Sequence, residues 1–195
     1  VIITPKGETV LDFGQNMTGV VALSLEAKAG EKVDLSFAEV MDKEGNFYTE
    51  NYRGAKCRYV YTCREGKQTF EPVHTFYGFR YVQLLEWPDD ATAEDFSAWV
   101  VHSDMPSTGE FECGAPLVNR LVHNALWSMK DNFLDVPTDC PQRDERCGWT
   151  GDAQVFCRTA AINFDIEKFM EKWLGDMAID QAKEDGIVRG VIPVT

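Results

Sequence analysis

The spacing of apolar residues changes near residue 114, and that change constrains the fold of this 195-residue chain more than any single motif. Up to that point the sequence reads as strands. Glu8–Phe13 runs into Gly14-Gln15-Asn16, which reads as a turn, and Val20–Leu25 follows as a short apolar run. Val33, Leu35 and Phe37 alternate with Asp34, Ser36 and Ala38, the half-buried strand pattern. Cys57–Cys63 and Phe79–Leu85 are aromatic and β-branched, Phe96–Ser103 adds a strand, and Gly109–Cys113 reads as the last. Strands and turns at this spacing predict an antiparallel β-sandwich over residues 1–112.

Beyond it the period is helical. Pro116 suits a first helical turn, and Leu117, Leu121, Ala125, Leu126, Met129 and Phe133 then fall on one face, with Pro137 ending the stretch. A second helix is predicted from Thr150 or Gly151 to Ala161. Asp165 is placed to cap a third, which lines up Ile166, Phe169, Met170, Trp173, Leu174 and Met177 and stops at Gly186. Strands first and helices after indicate two segregated parts, the second being residues 113–195. Three short helices with strongly apolar faces do not close on themselves. With no stop signal in Gly186–Thr195, they read as the front of a longer helical domain. Trp127 and Trp173 read as core, Trp87 and Trp99 as sandwich packing.

Net charge of −13 argues against a nucleic-acid backbone or an anionic membrane as partner, and no apolar run reaches the roughly 18 residues of a membrane helix. Val1–Lys6 is neither a signal peptide nor a start, so the chain reads as processed or cut from something longer. The six cysteines lack close C-x2-C pairs, which disfavours zinc, and they read as free, partly buried thiols with no metal and no cofactor. They leave the compartment undecided. His74, His102 and His123 have no motif around them that would activate a cysteine.

Between the first two helices lies the densest chemistry. Asp139 to Asp152 holds four carboxylates, two guanidiniums and one indole, punctuated by Pro141, Gly148 and Gly151. Such a segment reads as an ordered loop. Carboxylates accept from hydroxyls, arginine donates to them, and an indole stacks on a C–H face, which is what a sugar requires. Paired carboxylates are also the working parts of glycoside hydrolysis. A solvated charged loop is the plain alternative, but it would have no use for Trp149.

The runs Asp135-Val136-Pro137-Thr138-Asp139-Cys140-Pro141-Gln142-Arg143-Asp144-Glu145-Arg146 and Gly148-Trp149-Thr150-Gly151-Asp152-Ala153-Gln154 resemble the signature of bacterial α-L-rhamnosidases of glycoside hydrolase family 78. Leu11–Gly19, Tyr77–Tyr81 and Ser107–Phe111 resemble that family too, so the likeness runs nearly the whole length. It implies a β-sandwich followed by the first helices of an (α/α)6 barrel, and hydrolysis of terminal α-L-rhamnosyl bonds with inversion. Carried over by position, Glu145 matches the general acid. Asp139, Arg143, Asp144, Trp149 and Asp152 match residues that bind the terminal sugar. The general base of the family is a downstream Glu that would lie beyond Thr195. The implied partners are small-molecule or oligosaccharide α-L-rhamnosides, and the bare helical faces leave room for a homo-oligomer.

The chemistry fits that assignment on its own terms. A general acid must keep its proton near neutral pH, and crowding by other carboxylates promotes this. Asp144 and Asp152 are the candidates to crowd Glu145, with Arg143 or Arg146 opposing them. Side chains of adjacent residues diverge on an extended loop, so Asp144 and Glu145 do not both face one bond, and the base must come from elsewhere. The competing function is a non-catalytic carbohydrate-binding or interface sandwich with a helical extension.

Overall fold

The computed structural model describes residues 1–183 and 185–194; Glu184 and Thr195 lie outside them. The chain divides into two compact units. The first is Val1–Val101 with Gln142–Asp144, and the second is His102–Pro141 with Glu145–Thr195.

The first unit is built from nine strands: β1 (Ile2–Ile3), β2 (Thr9–Ala27), β3 (Lys32–Ala38), β4 (Val40–Met41), β5 (Phe47–Tyr48), β6 (Arg58–Thr62), β7 (Gly66–Phe70), β8 (Tyr77–Glu86) and β9 (Phe96–Val100). Seven of them form one antiparallel sheet in the order β1-β2-β8-β3-β6, with β7 and β9 also paired to β2, and β4 and β5 form a separate hairpin. The 19-residue β2 makes the arrangement sandwich-like. Its first half pairs with β8, and from Gly19 onward it pairs with β9 and then also with β7. Gly19 sits at that changeover, opposite Tyr77 on one side and Val100 on the other. A Cβ there would lie 2.2 Å from the Trp99 carbonyl oxygen, so only glycine lets the strands close.

The core follows from the alternation in the sequence. Val33, Leu35, Phe37, Phe79 and Val82 are fully buried. The Phe37 ring stacks on Tyr77 at 4.0 Å between centroids and meets Phe79 edge-on at 5.0 Å. The Tyr52 hydroxyl, also buried, donates to the Gly78 carbonyl at 2.6 Å.

Three readings from sequence need correction. Gly14-Gln15-Asn16 is not a turn that ends a strand: β2 runs through it, with a register shift against β8 between Asp12 and Met17. Gly14 takes φ +78° and donates its N–H to the Asp12 carboxylate at 2.8 Å, the local signature of a turn, but the ladder resumes on the far side. The segment is a bulge. Gly109–Cys113 forms no strand; the backbone pairing there is a single bridge between Ser107 and Phe164. Trp99 is not packed inside, being 55% exposed on β9.

The second unit begins with residues 102–112, which carry no helix but bond into it: Ser103 N–H donates to the Phe133 carbonyl and Thr108 N–H to that of Asn163. α1 (Pro116–Asn132) follows, then a hairpin of β10 (Phe133–Leu134) and β11 (Val136–Pro137), α2 (Thr150–Asn163) and α3 (Glu167–Lys183). Asp165 caps α3, its carboxylate accepting the Glu167 N–H at 3.2 Å. Gly186, at φ +87°, donates back to the Gln181 carbonyl. Met105, Met129, Phe133, Ala160, Phe164, Ile166 and Phe169 make one core, and Ala153, Trp173 and Ile192 a second. Leu117 and Leu121, counted on the first helical face, point to solvent, as do Val155 and Ile162 of α2. Among the described residues no helix is long and apolar enough to cross a membrane.

Arg80 on β8 grips Asp12 on β2 with two hydrogen bonds, of 2.7 and 2.8 Å, and this holds the Asp12 carboxyl below its ordinary value of 3.8. A depressed carboxyl stabilises the fold above its ordinary value, and that contribution is lost as pH falls through the folded value. Asp12→Asn should therefore be less stable than the parent at pH 7, by less than about 1 kcal/mol for so exposed a pair. The difference should begin to shrink as pH falls to 3.8 and vanish only below the lowered folded value, measured by urea midpoints across pH.

Candidate active site

The carboxylate-rich loop is closed at its base by its own backbone. The β10–β11 hairpin turns at Asp135, which has φ +66°, and delivers the chain to Thr138. Thr138 is tied to the end of α1 by its N–H and hydroxyl, both donating to the Asn132 carbonyl at 2.9 Å, and is bridged to Gly148. Next, the Asp139 N–H donates to the Cys147 carbonyl at 3.1 Å, and the Cys147 N–H donates back to the Asp139 Oδ1 at 3.1 Å. One residue thus shuts the loop with both its backbone and its side chain. Inside the clasp, Cys140 and Pro141 are buried and Arg146 adopts φ +51°. A side-chain-bearing residue held in the left-handed region marks a loop whose shape is imposed by its surroundings.

Downstream the chain is pinned by tight packing. Gly148 accepts the Ile192 N–H at 2.9 Å through its carbonyl oxygen. A Cβ on Gly148 would lie 2.3 Å from the Ile192 carbonyl oxygen and 3.0 Å from the Trp173 ring nitrogen. That nitrogen in turn donates to the same Ile192 oxygen at 3.1 Å, deep in the second core cluster. Trp149 then opens α2: its carbonyl takes the Ala153 N–H, and its ring lies against Gly190. Asp152 sits in the first turn of α2, where the helix dipole favours a carboxylate.

Two groupings of the candidate residues result. Carboxylate oxygens of Asp139 and Glu145 and the Cys140 sulfur lie within 4.8 Å of one another. These three are the donor set in the described residues that could offer atoms to a metal. Asp139 is thus brought against Glu145, a neighbour that the sequence reading had not singled out for that part. Cys147 senses the same charges. Burial pushes its thiol up, and Asp139 and Glu145 push it further.

The second grouping is a cavity of about 480 Å³ between the last turn of α1 and the first turns of α2. Met129, Phe133 and Phe156 give it an apolar wall, and Asp139 and Asp152 supply carboxylates. This is the build of a small-ligand site, apolar with a few polar groups. Glu145 and Trp149 are not among its lining residues, and Trp149 is 36% exposed.

Arg143 and Asp144 belong with the first unit. Asp144 accepts the Gly54 N–H at 3.3 Å and pairs with Arg53 at 4.0 Å, and the Gln142 carbonyl accepts the Cys57 thiol at 3.2 Å. Arg143 interacts electrostatically with Glu39, a residue for which the sequence gave no signal beyond its place after a strand.

Comparison with known proteins covers the chain from end to end. Residues 2–102 match the family model described as the bacterial alpha-L-rhamnosidase concanavalin-like domain, and residues 106–195 match the bacterial alpha-L-rhamnosidase 6 hairpin glycosidase domain. The chain is similar to an alpha-L-rhamnosidase of Streptomyces avermitilis, 43% identical over 98% of this chain and 19% of that protein. It is also similar to one of Formosa agariphila, 40% identical over 95% of this chain and 20% of that protein. It therefore spans about a fifth of the length of these relatives. Among solved structures it resembles the native Aspergillus terreus rhamnosidase, with TM-score 0.95 and 44% identity over 99% of this chain and 23% of that one. It likewise resembles the Streptomyces avermitilis rhamnosidase complexed with L-rhamnose, with TM-score 0.92 and 43% identity over 97% of this chain and 18% of that one.

Gly148→Ala should force the Ile192 backbone away from the loop and cost about 1–3 kcal/mol, the usual range for overpacking against fixed atoms. The loss should appear as a lower denaturant midpoint with an unchanged slope.

Proposed function

Because this chain belongs to the bacterial α-L-rhamnosidase family, we propose that it carries the acid half of a site that hydrolyses terminal α-L-rhamnosides with inversion, Glu145 being the general acid. The proton of Glu145 passes to the glycosidic oxygen as the bond from that oxygen to the anomeric carbon breaks. A water attacks from the opposite face, and a base supplied by other residues of the whole enzyme takes its proton. Asp139, Asp144 and Asp152 accept sugar hydroxyls, Arg143 donates to them, and Trp149 offers its indole face.

The observation that carries this reading is the match of residues 106–195 to the bacterial alpha-L-rhamnosidase 6 hairpin glycosidase domain, the stretch in which the clasped loop sets Glu145 beside Asp139. An inverting pair needs its carboxyls roughly 6.5–9.5 Å apart to admit both the sugar and a water, and the oxygens of Asp139 and Glu145 lie closer, within 4.8 Å. Asp139 is therefore not the base. Its Oδ1 holds the Cys147 N–H, so it supports the loop that carries Glu145. Closely spaced carboxyls are also what a retaining nucleophile and its acid require, and this favours a second reading in which Asp139 attacks the sugar.

The anomeric configuration of the first-formed rhamnose, followed by proton NMR in the full-length enzyme, separates the two. Inverted product supports the proposal; retained product with a covalent adduct on Asp139 overturns it. Glu145→Gln should lower kcat on poor leaving groups by about 10²–10⁴, the range for losing a general acid, while sugar affinity stays nearly constant. Loss of binding instead would make Glu145 a ligand. The 195-residue chain alone should not hydrolyse an aryl α-L-rhamnoside; turnover that Glu145→Gln abolishes would show that both halves of the site lie within it.

A further inference from the structure

We propose that Gly54, in the strand-rich unit, is a positioning residue for Asp144: its N–H and the narrow space beside it hold the Asp144 carboxylate in the pose from which it meets the sugar. This rests on the reading of Asp144 as a sugar ligand.

Gly54 lies in a short span between two buried anchors, Tyr52 and Cys57. The Tyr52 hydroxyl donates to the Gly78 carbonyl at 2.6 Å, and the Cys57 carbonyl accepts the Phe37 N–H at 3.0 Å. Gly78 is on β8 and Phe37 on β3, so both anchors are tied to the seven-stranded sheet. Between them the backbone is closed twice more. The Arg53 N–H donates to the Glu50 carbonyl at 3.2 Å, and the Ala55 N–H to that of Tyr52 at 3.0 Å. Arg53 takes φ +55° with ψ −118°, a conformation that residues with a side chain rarely adopt. Such strain, directly before the glycine, marks a span whose shape its surroundings impose.

The span meets the stretch Gln142–Asp144, which belongs to the same unit. The Gly54 N–H donates to Asp144 Oδ2 at 3.3 Å, and Arg53 Nη1 lies 4.0 Å from Oδ1. The two oxygens are thus addressed from two successive residues, which sets the plane of the carboxylate. A Cβ on Gly54 would lie 3.1 Å from the same Oδ2, tighter than ordinary contact. Gly54 does not have a positive φ, so its backbone conformation does not require glycine; the space beside Asp144 does. The Cys57 thiol donates to the Gln142 carbonyl at 3.2 Å, so the same span also fixes the chain two residues before Asp144.

The contacts to Asp144 are too weak to matter for stability. An N–H to oxygen distance of 3.3 Å is at the long end of the hydrogen-bond range. An ion pair at 4.0 Å between side chains 55% and 46% exposed adds little. What such contacts do is select one orientation for a side chain that would otherwise sample several, and orientation is what a ligand group needs before its ligand arrives. An ionised carboxylate offers about four acceptor positions. The Gly54 N–H occupies one, and the exposed side of Asp144 leaves oxygen surface open to a sugar hydroxyl.

The test uses the full-length enzyme with Gly54→Val, Gly54→Ala, Asp144→Ala and the two double variants. It reads L-rhamnose affinity by calorimetry, and KM and kcat on an aryl α-L-rhamnoside. Gly54→Val pushes the carboxylate aside and should weaken rhamnose binding and raise KM about tenfold, with kcat changed by less than about twofold. Gly54→Ala should act in the same direction by about threefold, and neither should add anything in the Asp144→Ala background. Unchanged KM, or an equal loss in both backgrounds, overturns the inference, since a merely structural glycine would act whether or not Asp144 is present. If Asp144→Ala itself leaves rhamnose affinity intact, the ligand reading of Asp144 falls and this inference with it. If Asp144→Ala is damaging while both Gly54 variants are silent, the inference alone falls. Should Gly54→Val fail to fold, Gly54→Ala decides by itself. A Gly54→Ala enzyme that fails to fold overturns the inference, because the glycine would then serve the fold and not the site.

Discussion

The clasp between Asp139 and Cys147 is the interaction on which the candidate site depends. Two hydrogen bonds, one from each amide, close a loop whose contents would otherwise be a mobile string of charges. Loop closure of this kind removes conformational freedom before any ligand arrives, which is the condition for a site that stabilises a transition state by geometry. The same carboxylate that closes the loop also faces Glu145. Structure and chemistry therefore share one residue, and Asp139 is tied to the loop in a way that Asp152, exposed on a helix, is not.

Around the clasp the supports are backbone and apolar packing rather than surface ion pairs. Thr138 hangs from the end of α1, and Gly148 leaves no space for a side chain against Ile192, whose carbonyl is fixed by the buried Trp173. The loop is thereby referred to the helical core. In the strand-rich unit the segment Gln142–Asp144 is held in a similar way, by a thiol, a backbone amide and a charge. Polar groups that are held on several sides keep a side chain in one pose, which is what separates a binding group from a solvated one.

Much of this was legible from the residues. The change of period at residue 114, the capping role of Asp165 and the buried Trp173 follow from spacing and residue type, because amphipathic periodicity and capping are local in sequence. Gly14–Asn16 was misread as a turn for an instructive reason. A glycine at positive φ with an Asp two residues before it looks the same locally whether a strand ends or bulges, and only pairing with β8 on both sides separates the two. Trp99 failed for a related reason: alternation fixes which face a residue lies on, but not whether another layer covers that face.

By itself the sequence determined the order of strands and helices and the inventory of one loop, and through that loop's signature it determined the family. Those are properties of neighbouring residues and of residue identity. Tertiary structure alone decided that Asp139 stands against Glu145, and that the Cys57 thiol, 85 positions upstream, holds the Gln142 carbonyl. Distances between side chains far apart in the chain depend on where strands pair and loops close. No local pattern encodes them, because they are set by packing that the whole fold must satisfy at once.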